Sequence, residues 1–512
     1  MSDTKTAHAT SGSHGGPLPY SRLGALLLGA AVALLLVGLV TGTGLFVSRE
    51  GPAAHAPAAQ APAAGHAEPG IAAAPGKEEA SEGFAPSLPW VIPFGAILLV
   101  VAVFPLLPGL STFWESNLNK LIVSAVVGLP VAAYVWQNDP AHVLHTGIEY
   151  FQFLSLLAAL FIVAGGLHLT GNLQATPGTN VAFLSAGYVL ASIVGTTGAA
   201  MLLIYPLLRT NSERKHRTHT VIFFIFLVCN IGGLLTPIGD PPLFLGYLRG
   251  IDFFWFMKLL PLWIMAGVLL MFVYYSLEVR YFAKESRAAL KRDAGNIRDV
   301  RVIGSLNLLL IAAVVGSVAA SIQTPYREAI MFASAGVSLI YTDRSSRART
   351  ARERNHFNFH AILEVAAVFA GVFLTMMPAL ILLNKRGAAL GVDQPIEFFY
   401  ATGLFSSFLD NAPTFLVFLE LALGVTGLKE AGQLQVGHAG AILGAVSAGA
   451  VFMGANTYIG NAPNFMVRSI AEQRKVPMPS FFGYMGWAVA ILLPVFTLTA
   501  FTFFVWARFP LF

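Results

Sequence analysis

Charge is scarce in this chain. Of its 512 residues only 11% are Asp, Glu, Lys or Arg, while 56% are hydrophobic. A soluble domain carries about 25% charge, so an ordinary soluble fold is excluded. Cysteine is almost missing: Cys229 stands alone inside an apolar run, which rules out an intrachain disulfide and reads as packing. No Cys/His spacing offers a structural metal site. Walker, zinc and triad constellations are absent as well, which argues against an enzyme or an ATP-driven pump. The ten-residue alternation of a membrane β-barrel is missing too. Positive charge is modest, at a net +5, and clustered. In a chain this apolar, such clusters report topology rather than nucleic acid.

What is present is a series of long apolar runs from residue 21 to the C-terminus. Each approaches the roughly 20 residues needed to cross a bilayer. The expected fold is an all-α polytopic membrane protein. Residues 1–20 are polar and read as a disordered N-terminus. Residues 21–47, entered at Arg22 and left at "SREG", are too long for a signal-peptide core and read as an accessory transmembrane helix. Residues 48–87 are rich in Ala, Pro, Gly and His and form a linker. His55 and His66 within it lack metal-ligand spacing. From residue 88 the apolar segments are 88–108, 118–136, 148–170, 178–208, 219–248, 253–279, 302–322, 326–342, 360–384, 395–426, 437–472 and 480–508.

Basic loops orient them. Stretches 209–217, 280–301 and 343–354, with Arg468, Arg474 and Lys475, belong on the cytoplasmic side. The parity then works only if 178–208 and 395–426 are re-entrant hairpins. Irregular backbone at membrane depth is tolerated where protein or a water cavity covers it. Repeat 1 (88–279, hairpin 178–208, broken helix 219–248) and repeat 2 (302–512, hairpin 395–426, broken helix 437–472) flank the basic loop 280–301. They start on opposite sides, which makes an inverted repeat. "TPIGDPPLF" from Thr236 lies over "TYIGNAPNF" from Thr457, and "SIVGTTGAAMLL" from Ser192 over "SSFLDNAPTFLV" from Ser406. Paired interrupted helices of this kind point to a secondary transporter with a midplane site.

The breaks have a chemical reading. Gly232-Gly233 and Thr236-Pro237 end a helix, and Asp240 before Pro241 reads as the N-cap of a new half-helix. Asn461-Ala462-Pro463 and Asn411-Ala412-Pro413 follow the same logic. Unwound carbonyls ligate cations, and new helix N-termini attract anions. Capping alone is the plainer reading of Asp240, Asn411 and Asn461, and it is compatible with lining a site. Asp410, deep in apolar sequence, reads as functional because an ionisable group in a membrane is expensive. Glu364 is a secondary candidate for the transport site, beside a reading as interfacial or paired with Arg352 or Arg354. Glu149 and Glu420, near segment ends, read as exposed. For His168 a packing role comes ahead of a proton relay.

"GGLLTPIGDPP", "SSFLDNAPTF" and "TYIGNAPNF" resemble the ion transporter superfamily over residues 88–508. That superfamily includes NhaD-type sodium/proton antiporters, arsenite-type permeases and citrate or dicarboxylate carriers. The resemblance implies a homodimer with a scaffold part and a moving transport part. It implies Ser406, Asp410, Asn411, Thr236, Asp240, Thr457 and Asn461 as site residues, to which the repeat adds Ser192, Thr196 and Thr197. Asp410, Asn411 and Thr457 form the candidate Na⁺ site. One departure is that Thr196-Thr197 stands where such antiporters carry a first Asp-Asn pair.

The expected activity is Na⁺ (or Li⁺)/H⁺ antiport at an inner (plasma) membrane. The two hairpin cores carry no Arg or Lys to hold a polyanion, and Asp240 and Asp410 repel one. A sodium- or proton-coupled citrate or dicarboxylate carrier is the alternative. A channel or non-transporting membrane subunit comes last, because neither needs an inverted repeat. No cofactor beyond the coupling ions and no nucleic acid is expected; the partners are the lipid bilayer and the transported small cations or carboxylate anions.

Overall fold

In the computed structural model the described residues are 20–41 and 84–506. The expected disordered N-terminus and most of the expected linker lie outside them. Within the expected accessory segment 21–47 the described residues form helix α1 (Tyr20–Thr41), and 42–47 lie outside them. The first half of the rest holds α2 (Ile92–Val103), α3 (Leu110–Glu115), α4 (Asn117–Asn138), α5 (Pro140–Gly165), α6 (Pro177–Val194), α7 (Thr196–Thr210), α8 (Thr218–Leu227), α9 (Pro241–Leu248) and α10 (Leu260–Phe282). After α11 (Arg287–Ala294) come α12 (Leu306–Ala319), α13 (Tyr326–Arg344), α14 (Ser346–Arg354) and α15 (His360–Arg386). The chain ends with α16 (Pro395–Ser406), α17 (Asn411–Thr426), α18 (Gly437–Met453), α19 (Ala462–Gln473) and α20 (Phe481–Phe501).

Nine helices among the described residues are long and apolar enough to cross a membrane, and the chain is a multi-pass helical membrane protein. Its outer surface suits lipid: Leu39, Phe272, Leu309 and Phe482 stand exposed. At the centre, α8 and α18 are buried on nearly every side, as helices apolar all round should be. Around them α4 packs on α15 and α13 on α5, while α10 and α20 pack on each other.

The chain is all-α as expected, apart from one short ribbon: His168–Asn172 (β1) pairs antiparallel with Arg298–Ile303 (β2), His168 opposite Ile303. Two of the expected spans differ. The apolar run read as span 148–170 is therefore a helix that starts at Pro140, ends at Gly165 and passes into a strand. Gly171 carries φ +100° at the ribbon's irregularity, where a Cβ would run into the carbonyl of Asp299. The segment 326–342 is helical as α13 but too polar to count among the nine, since it buries Arg327 and Glu328 as an ion pair at 2.6 Å.

Candidate functional site

Helices α7, α9, α17 and α19 all begin in one place. The reason lies in the local sequence. Gly195 alone joins α6 to α7, at φ +83°, a conformation that favours glycine, with its Cα face against the Ile238 carbonyl. After α8 the chain makes a 3₁₀ turn over Ile231–Leu235, unwinds, and restarts at Asp240 with Pro241-Pro242 in the first turn of α9. The other broken helix does the same: α18, a 3₁₀ turn over Gly454–Asn456, then Asn461 with Pro463 early in α19. Asp240 and Asn461 are both extended, at φ −143° and −148°. Each unwound turn folds back so closely that a Cβ on Gly239 would run into the Gly233 carbonyl, and one on Gly460 would lie 2.5 Å from that of Gly454.

The side chains at these four helix starts meet at Asp240, whose side chain is essentially sealed from solvent. Its carboxylate accepts from Thr196 Oγ1 at 2.9 Å, Asn411 Nδ2 at 2.8 Å and Asn461 Nδ2 at 3.1 Å. Asp240 stands at the N-cap position of α9 yet does not cap it; its oxygens turn to the neighbouring elements instead. Every donor is uncharged. Asp410 is within electrostatic reach of the same carboxylate. A sealed, anionic group held only by neutral dipoles is costly without a cation or a proton.

A ring of hydroxyls and amides surrounds this centre. Ser406 Oγ lies 2.7 Å from Asn411 Oδ1 and 2.6 Å from the Ala450 carbonyl, so its one proton serves one of them at a time. Thr236 Oγ1 donates to the Ser192 carbonyl, and Ser192 Oγ to that of Gly232 at 2.5 Å. Thr457 Oγ1 donates to the Ser407 carbonyl at 2.5 Å and accepts from the Ile459 and Gly460 amides. Asn461 Nδ2 also reaches the Cys229 carbonyl at 3.0 Å.

Asp410 is half-buried and caps α17, accepting from Ala412 N at 3.0 Å. Thr197, also half-buried, stands one residue beyond the Asp240 cluster. The expected Na⁺ ligands are thus dispersed over different partners: Asn411 on Asp240 and Ser406, Thr457 on Ser407, Asp410 on its own helix. Among the described residues no group of three or more His, Cys, Asp or Glu side chains is arranged to hold a metal ion.

Other candidates lie elsewhere. Glu364 does not pair with Arg352 or Arg354 but with Lys120 of α4, at 2.6 Å. His168 is buried on β1, its Nδ1 2.7 Å from Asn355 Oδ1. Glu149 and Glu420 are not exposed: both bind Arg249, just past α9, Glu149 at 3.0 Å. Sequence reasoning also passed over Asn230, Asn464 and Ser407. Asn230 Nδ2 donates to Asn464 Oδ1 at 2.8 Å, and Asn464 Nδ2 to the Gly454 and Thr457 carbonyls. Their signal was available, since an amide inside an apolar run needs a partner.

Among known proteins, a family model named CitMHS_2 and described as "Putative citrate transport" matches residues 84–504. No curated protein matches the chain.

Proposed function

The chain belongs to the CitMHS_2 citrate-transport family, and from that premise we propose that it is a secondary active transporter exchanging Na⁺ (or Li⁺) for H⁺ at the Asp240 cluster. The observation that carries the cation assignment is the Asp240 carboxylate, sealed and held by three neutral donors. One such carboxylate holds a proton or a sodium ion but not both, and that competition is the minimum requirement of exchange. Hydroxyls and unwound carbonyls around it supply further hard oxygens.

The moving framework in this reading is an inverted repeat with two re-entrant hairpins. Supporting it, α4 packs on α15 as α13 does on α5, and α17 packs on α9 as α7 does on α19. Thr236 bonds the Ser192 carbonyl as Thr457 bonds that of Ser407. Thr196 and Asn411, the first residues of α7 and α17, both donate to Asp240. The counterpart of Ser192 is therefore Ser407, one residue beyond the Ser406 expected from sequence. Helices α16 and α17, of 12 and 16 residues, reach about 18 and 24 Å, short of a hydrocarbon core of about 30 Å. The reading extends to a homodimer in the inner membrane with basic loops on the cytoplasmic side.

A second reading is favoured by the family description and by the four helix N-termini, whose dipoles suit a carboxylate. In it a cation or proton neutralises Asp240, and citrate follows. The test is proton release from everted vesicles on adding Na⁺ or Li⁺, beside labelled citrate uptake with and without sodium. Cation-triggered release that falls to the empty-vesicle level in Asp240→Asn establishes exchange through Asp240. Silence toward both cations, with Asp240-dependent citrate uptake, replaces it with the anion carrier.

A further inference from the structure

A cavity of about 460 Å³ opens beside the β1–β2 ribbon, away from the Asp240 cluster. Its wall includes Arg209 at the end of α7, Arg298 on β2, Arg354 at the end of α14 and Asn172 on β1, with Asp299 as its one acidic residue. Asp299 faces Arg301 at 3.8 Å. Among the described residues, none of the three arginines has a carboxylate within ion-pairing distance.

Arg209 is the most buried of them. Its Nη2 donates to the Leu169 carbonyl at 2.9 Å, but its Nε is buried without a partner. Arg354 and Arg474 both act on it electrostatically. Like charges gathered at a half-buried guanidinium call for an anion. Asn172 in the wall is already engaged, its Nδ2 donating to the Asn296 carbonyl at 3.0 Å. A ligand that answers the guanidinium groups has several acceptor oxygens. A phosphate group does, and guanidinium forks are matched to it. The volume falls in the range of about 300–1,000 Å³ typical of ligand pockets, so more than the phosphate itself fits.

We propose that this pocket binds a phosphate-bearing anion through Arg209, Arg298 and Arg354. Because α7 runs from Thr196 at the Asp240 cluster to Arg209 in the pocket wall, the anion holds the far end of a helix that donates to Asp240.

The experiment is calorimetric titration of the purified full chain with pyrophosphate, with short-chain phosphatidic acid and with short-chain phosphatidylcholine. Saturable binding of one of the first two is expected, weakened at least about tenfold in the double variant Arg298→Gln/Arg354→Gln. Both positions are exposed, so folding should survive. Arg287→Gln, an exposed arginine outside the pocket, should bind as the parent does. Pyrophosphate binding identifies a free anion; response to phosphatidic acid alone identifies a lipid headgroup. Binding of neither, or equal binding in the double variant, overturns the proposal. Because the titration reads binding at the pocket and not exchange, the result is independent of whether the transport reading holds.

Discussion

Asp410 and Asp240 both stand at the start of a half-helix, yet their carboxylates do different things. Asp410 caps α17 through Ala412 N, whereas Asp240 leaves its own helix uncapped and gathers Thr196, Asn411 and Asn461. Asn caps a helix about as well as Asp. Asp410→Asn should therefore melt like the parent, while Asp410→Ala should lose about 1 kcal/mol. If the charge of Asp410 matters for coupling, as its place deep in apolar sequence implies, both variants lose exchange in vesicles. Exchange retained in the Asn variant and lost in the Ala variant would reduce Asp410 to a cap. At this scale the sequence was informative where Asp or Asn precedes Pro or Ala-Pro inside an apolar run, because that pattern has few local solutions. It ranked Asp410 above Asp240 because nothing local tells which carboxylate three distant donors will meet.

Between elements, a link outside the cluster is the ion triad at Arg249. This residue ends α9 and binds Glu149 of α5 and Glu420 of α17, with Asn384 of α15 donating to Glu420 at 2.9 Å. It ties the half-helix that starts at Asp240 to two neighbours. Removing one partner of a buried ionic group leaves uncompensated charge, at a cost of about 3–5 kcal/mol. Arg249→Met should thus lower the melting temperature sharply. Adding Glu149→Gln and Glu420→Gln should restore most of it, since no charge is then left unpaired. Arg249→Lys should recover only part, because an ammonium lacks the fork that reaches two carboxylates. A melting curve unchanged in Arg249→Met would show the triad to be dispensable. None of this was legible in sequence. The two glutamates stand 100 and 171 positions from Arg249, and charge near a segment end looks solvated until the third dimension closes over it. Glu364 misled in the same way, its partner Lys120 lying 244 positions off.

For the molecule as a whole, the order of apolar runs and the breaks in them were legible because bilayer thickness and backbone satisfaction leave few alternatives. The role of α1 was not, since a lone apolar helix carries no sign of what it touches. It packs along α13 at a small-residue crossing, where a Cβ on Gly24 or on Gly336 would sit 2.7 Å from the other's carbonyl oxygen. Ser21 N donates to Asp343 at 2.5 Å, and the Arg352 guanidinium lies 5.8 Å from the Tyr20 ring. The residues matched by the family begin at 84, beyond α1. The helices that meet at Asp240 are α7, α9, α17 and α19, none of which packs on α1 as α13 does. Deleting residues 1–87 uncovers the face of α13 to lipid, which is as apolar as the helix it loses, so the loss is one of packing rather than of hydrophobic burial. Exchange should persist in the truncated chain, with a lower melting temperature. Gly336→Leu in the full chain should reproduce the lower melting temperature by prising α1 away, again with exchange retained. Complete loss of exchange in the truncation, with normal membrane insertion, would mean that α1 takes part in the transport cycle through α13 and α5.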